Sequence, residues 1–181
     1  NKMPRWLSEG ISVYEEKLAD AGWGQSMSAG YREIILGGGL TPVSQLSGAF
    51  LAPPSPLHLQ FAYFESSLVV EYLVEKYGLE TLKRILVDLS AGMPINESLQ
   101  RYTGSLSLLD QEFEQFARER ADQLAPGLDF AAHELPEELD AATWNRWLQA
   151  HPDSYQGLHA YATWWMKQEE WEQAEKPLRR L

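Results

Sequence analysis

Glu9, in the run Trp6-Leu7-Ser8-Glu9-Gly10, is the residue whose setting first points to chemistry, because a carboxylate beside a tryptophan and a glycine is a candidate metal ligand. One carboxylate is not a site. Zinc hydrolases commonly take two histidines one helical turn apart, with a glutamate between them as base, and that HExxH pattern occurs nowhere in the chain. His133-Glu134 opens such a run. HELPE, however, has Glu137 at the final ligand position and Pro136 inside the prospective helix, so it reads as polar linker. His58 follows Pro56 with no second histidine nearby, His151 precedes Pro152, and His159 lies in a helical stretch. The last two read as surface or packing groups.

Other catalytic patterns are weaker still. GxSxG is absent, and the serines between residues 26 and 67 have no His/Asp arrangement around them. Glu15-Glu16 and Glu169-Glu170 are adjacent pairs that diverge on a helix, which suits a solvated face better than glycosidic chemistry. Gly37-Gly38-Gly39 lacks the Lys-Ser/Thr ending of a phosphate loop and reads as a turn.

The elements that must position these residues are helices. Leu7 to Asp20 is the first, with Trp6, Leu7, Ile11 and Tyr14 on one broad face and Gly22 and Gly24 at its exit. Ser26 or Ser28 caps a short helix ending at Leu36. The mixed stretch from Thr41 to Phe50 is left unassigned, with one helical turn beginning at Pro42. Pro53, Pro54 and Pro56 impose an irregular connector. Leu59 to Tyr77 carries the strongest helical pattern: Phe61, Phe64, Leu68, Val69, Tyr72 and Leu73 recur at spacings of three and four. Gly78 then turns the chain into an antiparallel helix from Glu80 to Leu89. Asn96 caps a short helix containing Leu99 and Tyr102, and Leu106 to Leu124 makes one more long helix through Leu109, Phe113, Phe116 and Ala117. The expected fold is therefore all-α, a helical bundle over residues 1–125 followed by a second part at 126–181.

Composition narrows the function classes. The 181 residues are 44% hydrophobic and 12% aromatic, enough to bury a core. A formal charge of -11, with basic residues clustered only as pairs, speaks against nucleic-acid binding. No apolar run is long enough to span a bilayer. The absence of cysteine removes disulfides and thiolate ligands.

Beyond Pro126-Gly127, an acidic, proline-interrupted stretch to Leu139 leads to helices at Ala141 to Ala150, Gly157 to Gln168 and Trp171 to Leu181. Small Ala162 and Ala174 allow close crossing, with Tyr161, Trp165, Trp171 and Leu178 expected to fill the space around them. This tail resembles a tetratricopeptide repeat. Counting from Tyr155, Leu158, Tyr161, Ala162 and Trp165 take the packing positions of its first helix, and Trp171, Ala174, Leu178 and Leu181 those of its second. Pro152 falls at the repeat-ending proline of a preceding, degenerate unit with Asp140 where alanine is expected. The resemblance implies a protein or peptide partner, and a tail expected either to dock against the first part or to continue in the parent chain.

Residues 4 to about 122 resemble the peptidase MA-like zinc metallopeptidases of the gluzincin group. The resemblance rests on WLSEG with the following VYEE, then FAYFESSLVVEYLVEKYG, LETLKRILVDLSAG and GSLSLLDQEFEQFARE in that order. It implies Glu9 as the third zinc ligand and an aromatic hydroxyl, from Tyr63, approaching the site. It also implies an HExxH segment before WLSEG, where this chain has only Asn1 to Arg5. The expectation is a fragment of a zinc peptidase, inactive and without cofactor on its own, zinc belonging to the longer parent. The alternative expectation is a noncatalytic helical scaffold acting through its tail.

Overall fold

The structure is a computed structural model that describes residues 3–20, 22–136 and 140–181. Glu137, the last position of HELPE, lies outside the described residues. Among the described residues nine α-helices follow one another: α1 (Arg5–Ala19), α2 (Ala29–Leu36), α3 (Pro56–Tyr77), α4 (Leu79–Ser90), α5 (Ile95–Thr103), α6 (Leu106–Asp122), α7 (Ala141–Ala150), α8 (Tyr155–Lys167) and α9 (Trp171–Leu178), with a 3-10 helix at Val43–Gly48. Among the described residues there is no β-strand beyond an isolated parallel bridge between Asp129 and Ser154. The all-α expectation holds. The chain divides into two compact units, 1–121 and 122–181.

In the first unit α3 is the central post. The periodic residues Phe61, Phe64, Leu68, Val69, Tyr72 and Leu73 are all buried, as are Ala62, Ser66, Ser67 and Val70 between them, so the helix is enclosed on most sides rather than along one stripe. α1 packs along it more extensively than any other helix, through Trp6 and Leu7. α4 returns after Gly78, whose φ of +84° suits a residue without Cβ, and buries Leu82, Ile85 and Leu89. α6 closes the other side with Leu109, Phe113 and Ala117, the Tyr72 ring lying 5.9 Å from that of Phe113.

Local chemistry moves several helix ends from where the spacing put them. α3 starts three residues before Leu59 because Pro56 stands in its first turn, where a missing N–H costs nothing, and the Ser55 side chain caps it. Asn96 is not a cap. α5 begins after Pro94, and the Asn96 amide instead donates 2.9 Å to the Ser44 carbonyl. α6 stops at Asp122 rather than Leu124, and α8 begins at Tyr155, two residues early, on a Ser154 cap.

The second unit is built on α7, α8 and α9. Asp140 caps α7 by accepting from Thr143 N at 2.9 Å. Trp144, Leu158, Tyr161, Ala162 and Ala174 are buried, while Trp171 and Leu178 are 64% and 42% exposed. That corrects the expectation that Trp171 and Leu178 fill the hairpin. α9 turns Ala174 and Pro177 inward, which rolls the two large side chains out.

Candidate functional site

The WLSEG run is explained residue by residue by the α1–α3 crossing. Trp6 and Leu7 are fully buried, and Gly10 meets the α3 backbone so closely that any Cβ there would stand 2.5 Å from the Ser66 carbonyl oxygen. Ser66 keeps its hydroxyl on its own helix by donating to the Ala62 carbonyl at 2.6 Å. With Trp6, Leu7 and Gly10 used in packing, Glu9 is left at the half-exposed rim of the crossing.

Arg5, one turn before Glu9, ties that rim to α3. Its Nη2 donates to the Tyr63 hydroxyl at 2.6 Å, and its Nε lies 3.4 Å from Glu9 Oε1. Phe50 lines the same spot: its ring meets that of Tyr63 edge-on at 5.1 Å and carries the Arg5 guanidinium 4.9 Å from its centroid. The two residues singled out in the sequence, Glu9 and Tyr63, thus meet through Arg5. Sequence reasoning missed Arg5, although its i,i+4 spacing to Glu9 was visible. Phe50 left no signal.

The segment that presents Phe50 is pinned by polar side chains of the bundle. Asp110 of α6 accepts from both the amide and the hydroxyl of Ser44, at 3.0 and 2.7 Å. Glu65 of α3, only 1% exposed, accepts from the Thr41 amide at 2.5 Å. Burial drives its carboxyl up from an ordinary 4.5 to about 8, and the hydrogen bonding from Thr41 only partly offsets that. Glu65 was also missed; a lone acid inside an apolar helical stripe is its sequence signature.

The histidines are spent elsewhere. His58 shares a 2.8 Å hydrogen bond between its Nδ1 and Ser55 Oγ at the start of α3, whereas His133, His151 and His159 belong to the second unit. Among the described residues no three His, Cys, Asp or Glu side chains group as a metal site. A single carboxylate already paired with Arg5 falls short of the ligand set of a catalytic zinc, so these residues do not by themselves fit that ion.

The family model of the peptidase MA superfamily matches residues 1–118, which is nearly the whole first unit. The chain belongs to the peptidase MA superfamily. No curated protein and no solved structure matches it. For this peptidase MA chain, the matched stretch holds α1 with Glu9 and Arg5, the segment with Phe50 and α3 with Tyr63. No helix of the described residues is long and apolar enough to cross a membrane.

Proposed function

We propose that this chain is the helical part of a zinc-dependent peptidase domain of the gluzincin type. On this reading Glu9 takes the third ligand position, and the HExxH histidines and base come from sequence outside these residues. The observation that carries the reading is the convergence of Glu9 and Tyr63 on Arg5 at the open rim of the α1–α3 crossing. Trp6, Leu7 and Gly10 fix the height of α1 on α3, and Arg5 orients both groups. The Tyr63 oxygen accepts from Arg5, which leaves its own proton available to hydrogen-bond a developing negative charge. With one carboxylate and no HExxH, residues 1–181 alone hydrolyse no peptide on this reading.

Zinc content after dialysis tests this on two polypeptides ending at Leu181, one beginning at Asn1 and one extended upstream. Zinc at about one equivalent in the longer chain alone, lost in Glu9→Gln, supports the split site. No zinc in either overturns it.

A second reading, a noncatalytic helical scaffold that holds protein or peptide, draws support from the second unit. Ala162 and Ala174 are fully buried in the α8–α9 hairpin, consistent with a tetratricopeptide-type relationship, and a groove lined by aromatic and basic side chains stays open beside it.

A further inference from the structure

The histidine that opens the HELPE run stands beside a second one. His133, in the connector before α7, and His151, which ends α7, have ring centres 4.8 Å apart. Both residues line a cavity of about 230 Å³ together with Asp129 and Asp153, and neither belongs to the stretch matched by the peptidase MA family.

Hydrogen bonds hold the connector against the turn after α7. The Asp129 amide donates to the Asp153 carbonyl at 2.7 Å, and the Asp129 carbonyl accepts from the Tyr155 amide at 2.8 Å. The His133 amide donates to Gln156 Oε1 at 3.0 Å, and the Trp147 indole N–H donates to the Glu134 carbonyl at 3.0 Å. His151 stacks on the Trp147 ring at 4.3 Å. The two imidazoles are thus held together before any ligand arrives, so little ordering is left for binding to offset.

Each ring has one nitrogen committed, and the partner fixes which. His151 Nδ1 lies 3.1 Å from the Trp147 carbonyl oxygen, and His133 Nε2 lies 3.1 Å from Asp129 Oδ2. A carbonyl and a carboxylate only accept, so these nitrogens carry the protons of the neutral rings, and His151 Nε2 and His133 Nδ1 keep their lone pairs. Metal-ligating histidines are oriented in this way, by an outer N–H given to a carboxylate or a backbone carbonyl. The spacing agrees. A ligating nitrogen about 2.1 Å from a metal puts the ion about 3.2 Å from the ring centre, so two rings at roughly 90° to 110° around one ion have centres about 4.5 to 5.2 Å apart.

We infer that His133 Nδ1 and His151 Nε2 bind one late first-row divalent cation, of the Zn²⁺ and Cu²⁺ class, whose remaining positions are taken by solvent. Asp129 orients His133 rather than ligating, in keeping with the lack of any three-ligand group among the described residues. Asp153 adds negative charge at the cavity, as does the balance of eleven Asp and Glu against five Lys and Arg across 122–181. The bound ion ties the connector to the end of α7. The assignment is independent of Glu9 and of both readings above. With two protein ligands where a catalytic zinc has three, the ion is lost on dialysis and does not enter the zinc count that tests Glu9.

The test titrates the whole chain with Zn²⁺ and with Mg²⁺ by calorimetry. Zn²⁺ is expected to bind at one equivalent and Mg²⁺ not measurably, because imidazole suits the first and oxygen ligands the second. His133→Gln and His151→Gln should each weaken Zn²⁺ binding at least about tenfold, and Asp129→Asn, which keeps an acceptor for the Ala131 amide, about tenfold. His159→Gln, at an exposed histidine of the same unit, should change nothing. Pulsed EPR of one equivalent of Cu²⁺ on the unaltered chain, which needs no variant to fold, should show the remote nitrogens of two imidazoles. Absence of saturable Zn²⁺ binding overturns the assignment, as does Zn²⁺ binding undiminished when both His133→Gln and His151→Gln are present. Equal binding of Mg²⁺, or one imidazole or none on Cu²⁺, would replace the site with a merely acidic surface and overturn it too.

Discussion

Gly10 of α1 and Ser66 of α3 are locked backbone to backbone: a Cβ at position 10 would stand 2.5 Å from the Ser66 carbonyl oxygen and 2.7 Å from its carbonyl carbon. Neither atom belongs to a side chain that can swing away. Gly10→Ala should therefore push α1 off α3, and the strain of about 1 to 3 kcal/mol outweighs the roughly 1 kcal/mol that alanine returns in helix propensity. Hydrogen exchange of the α1 and α3 amides at rising urea, which reports on this crossing and not on the second unit, reads the net loss. A Gly10→Ala chain as stable as the wild type would show that the crossing is looser than this contact requires.

The Arg5 bridge predicts an energetic coupling between groups 58 residues apart in sequence. Arg5→Gln and Tyr63→Phe should each cost little. Together they should cost less than their sum by about 0.5 to 1 kcal/mol, a modest figure because the Arg5 side chain is 56% exposed. A double-mutant cycle by thermal unfolding measures this. Strict additivity would mean that Arg5 does not hold Tyr63 in solution.

Much of the fold was legible because the first unit obeys one rule. Phe61, Phe64, Leu68, Val69, Tyr72 and Leu73 recur at helical spacing, and each of these is buried. Helix ends were read less well, since Pro56 looks the same in sequence whether it breaks a helix or opens one; only the Ser55 cap decides. The site was half legible. Glu9 was visible from its motif and Tyr63 only through a family likeness, but the fact that Arg5 joins them depends on the height at which Gly10 seats α1, which no spacing encodes. Trp171 and Leu178 misled for the opposite reason. A large apolar residue on a marginal helix can face either way, and α9 buries Ala174 and Pro177 instead.

Asp110 caps a segment that has no cap of its own. The 3-10 helix at Val43–Gly48 follows Pro42, which offers no side-chain acceptor, and Asp110 reaches in from α6 to take both Ser44 donors. Asp110→Ala should cost about 1 to 2 kcal/mol. Its effect should be local first, speeding hydrogen exchange at the Ser44 amide and loosening Phe50 from Tyr63. Unchanged exchange at Ser44 would remove Asp110 from this role.

Glu65 makes the stability of the first unit depend on pH in an uncommon direction. In the unfolded chain its carboxyl ionises near 4.5, whereas in the fold it holds its proton up to about 8. Between those values the folded state binds the extra proton, so stability falls as pH rises, by up to about 1.4 kcal/mol per pH unit from this group alone. Below 4.5 both states are protonated, and above 8 both are ionised, so the contribution is flat outside the window. Glu65→Gln keeps an acceptor for the Thr41 amide but cannot ionise. It should match the wild type near pH 4 and become progressively more stable than it up to pH 8, after which the gap stays constant. Urea midpoints for both chains across pH 4 to 9 give that difference directly, because the other titrating groups cancel in it. Parallel curves across the window would show that Glu65 does not carry a retained proton in the folded state.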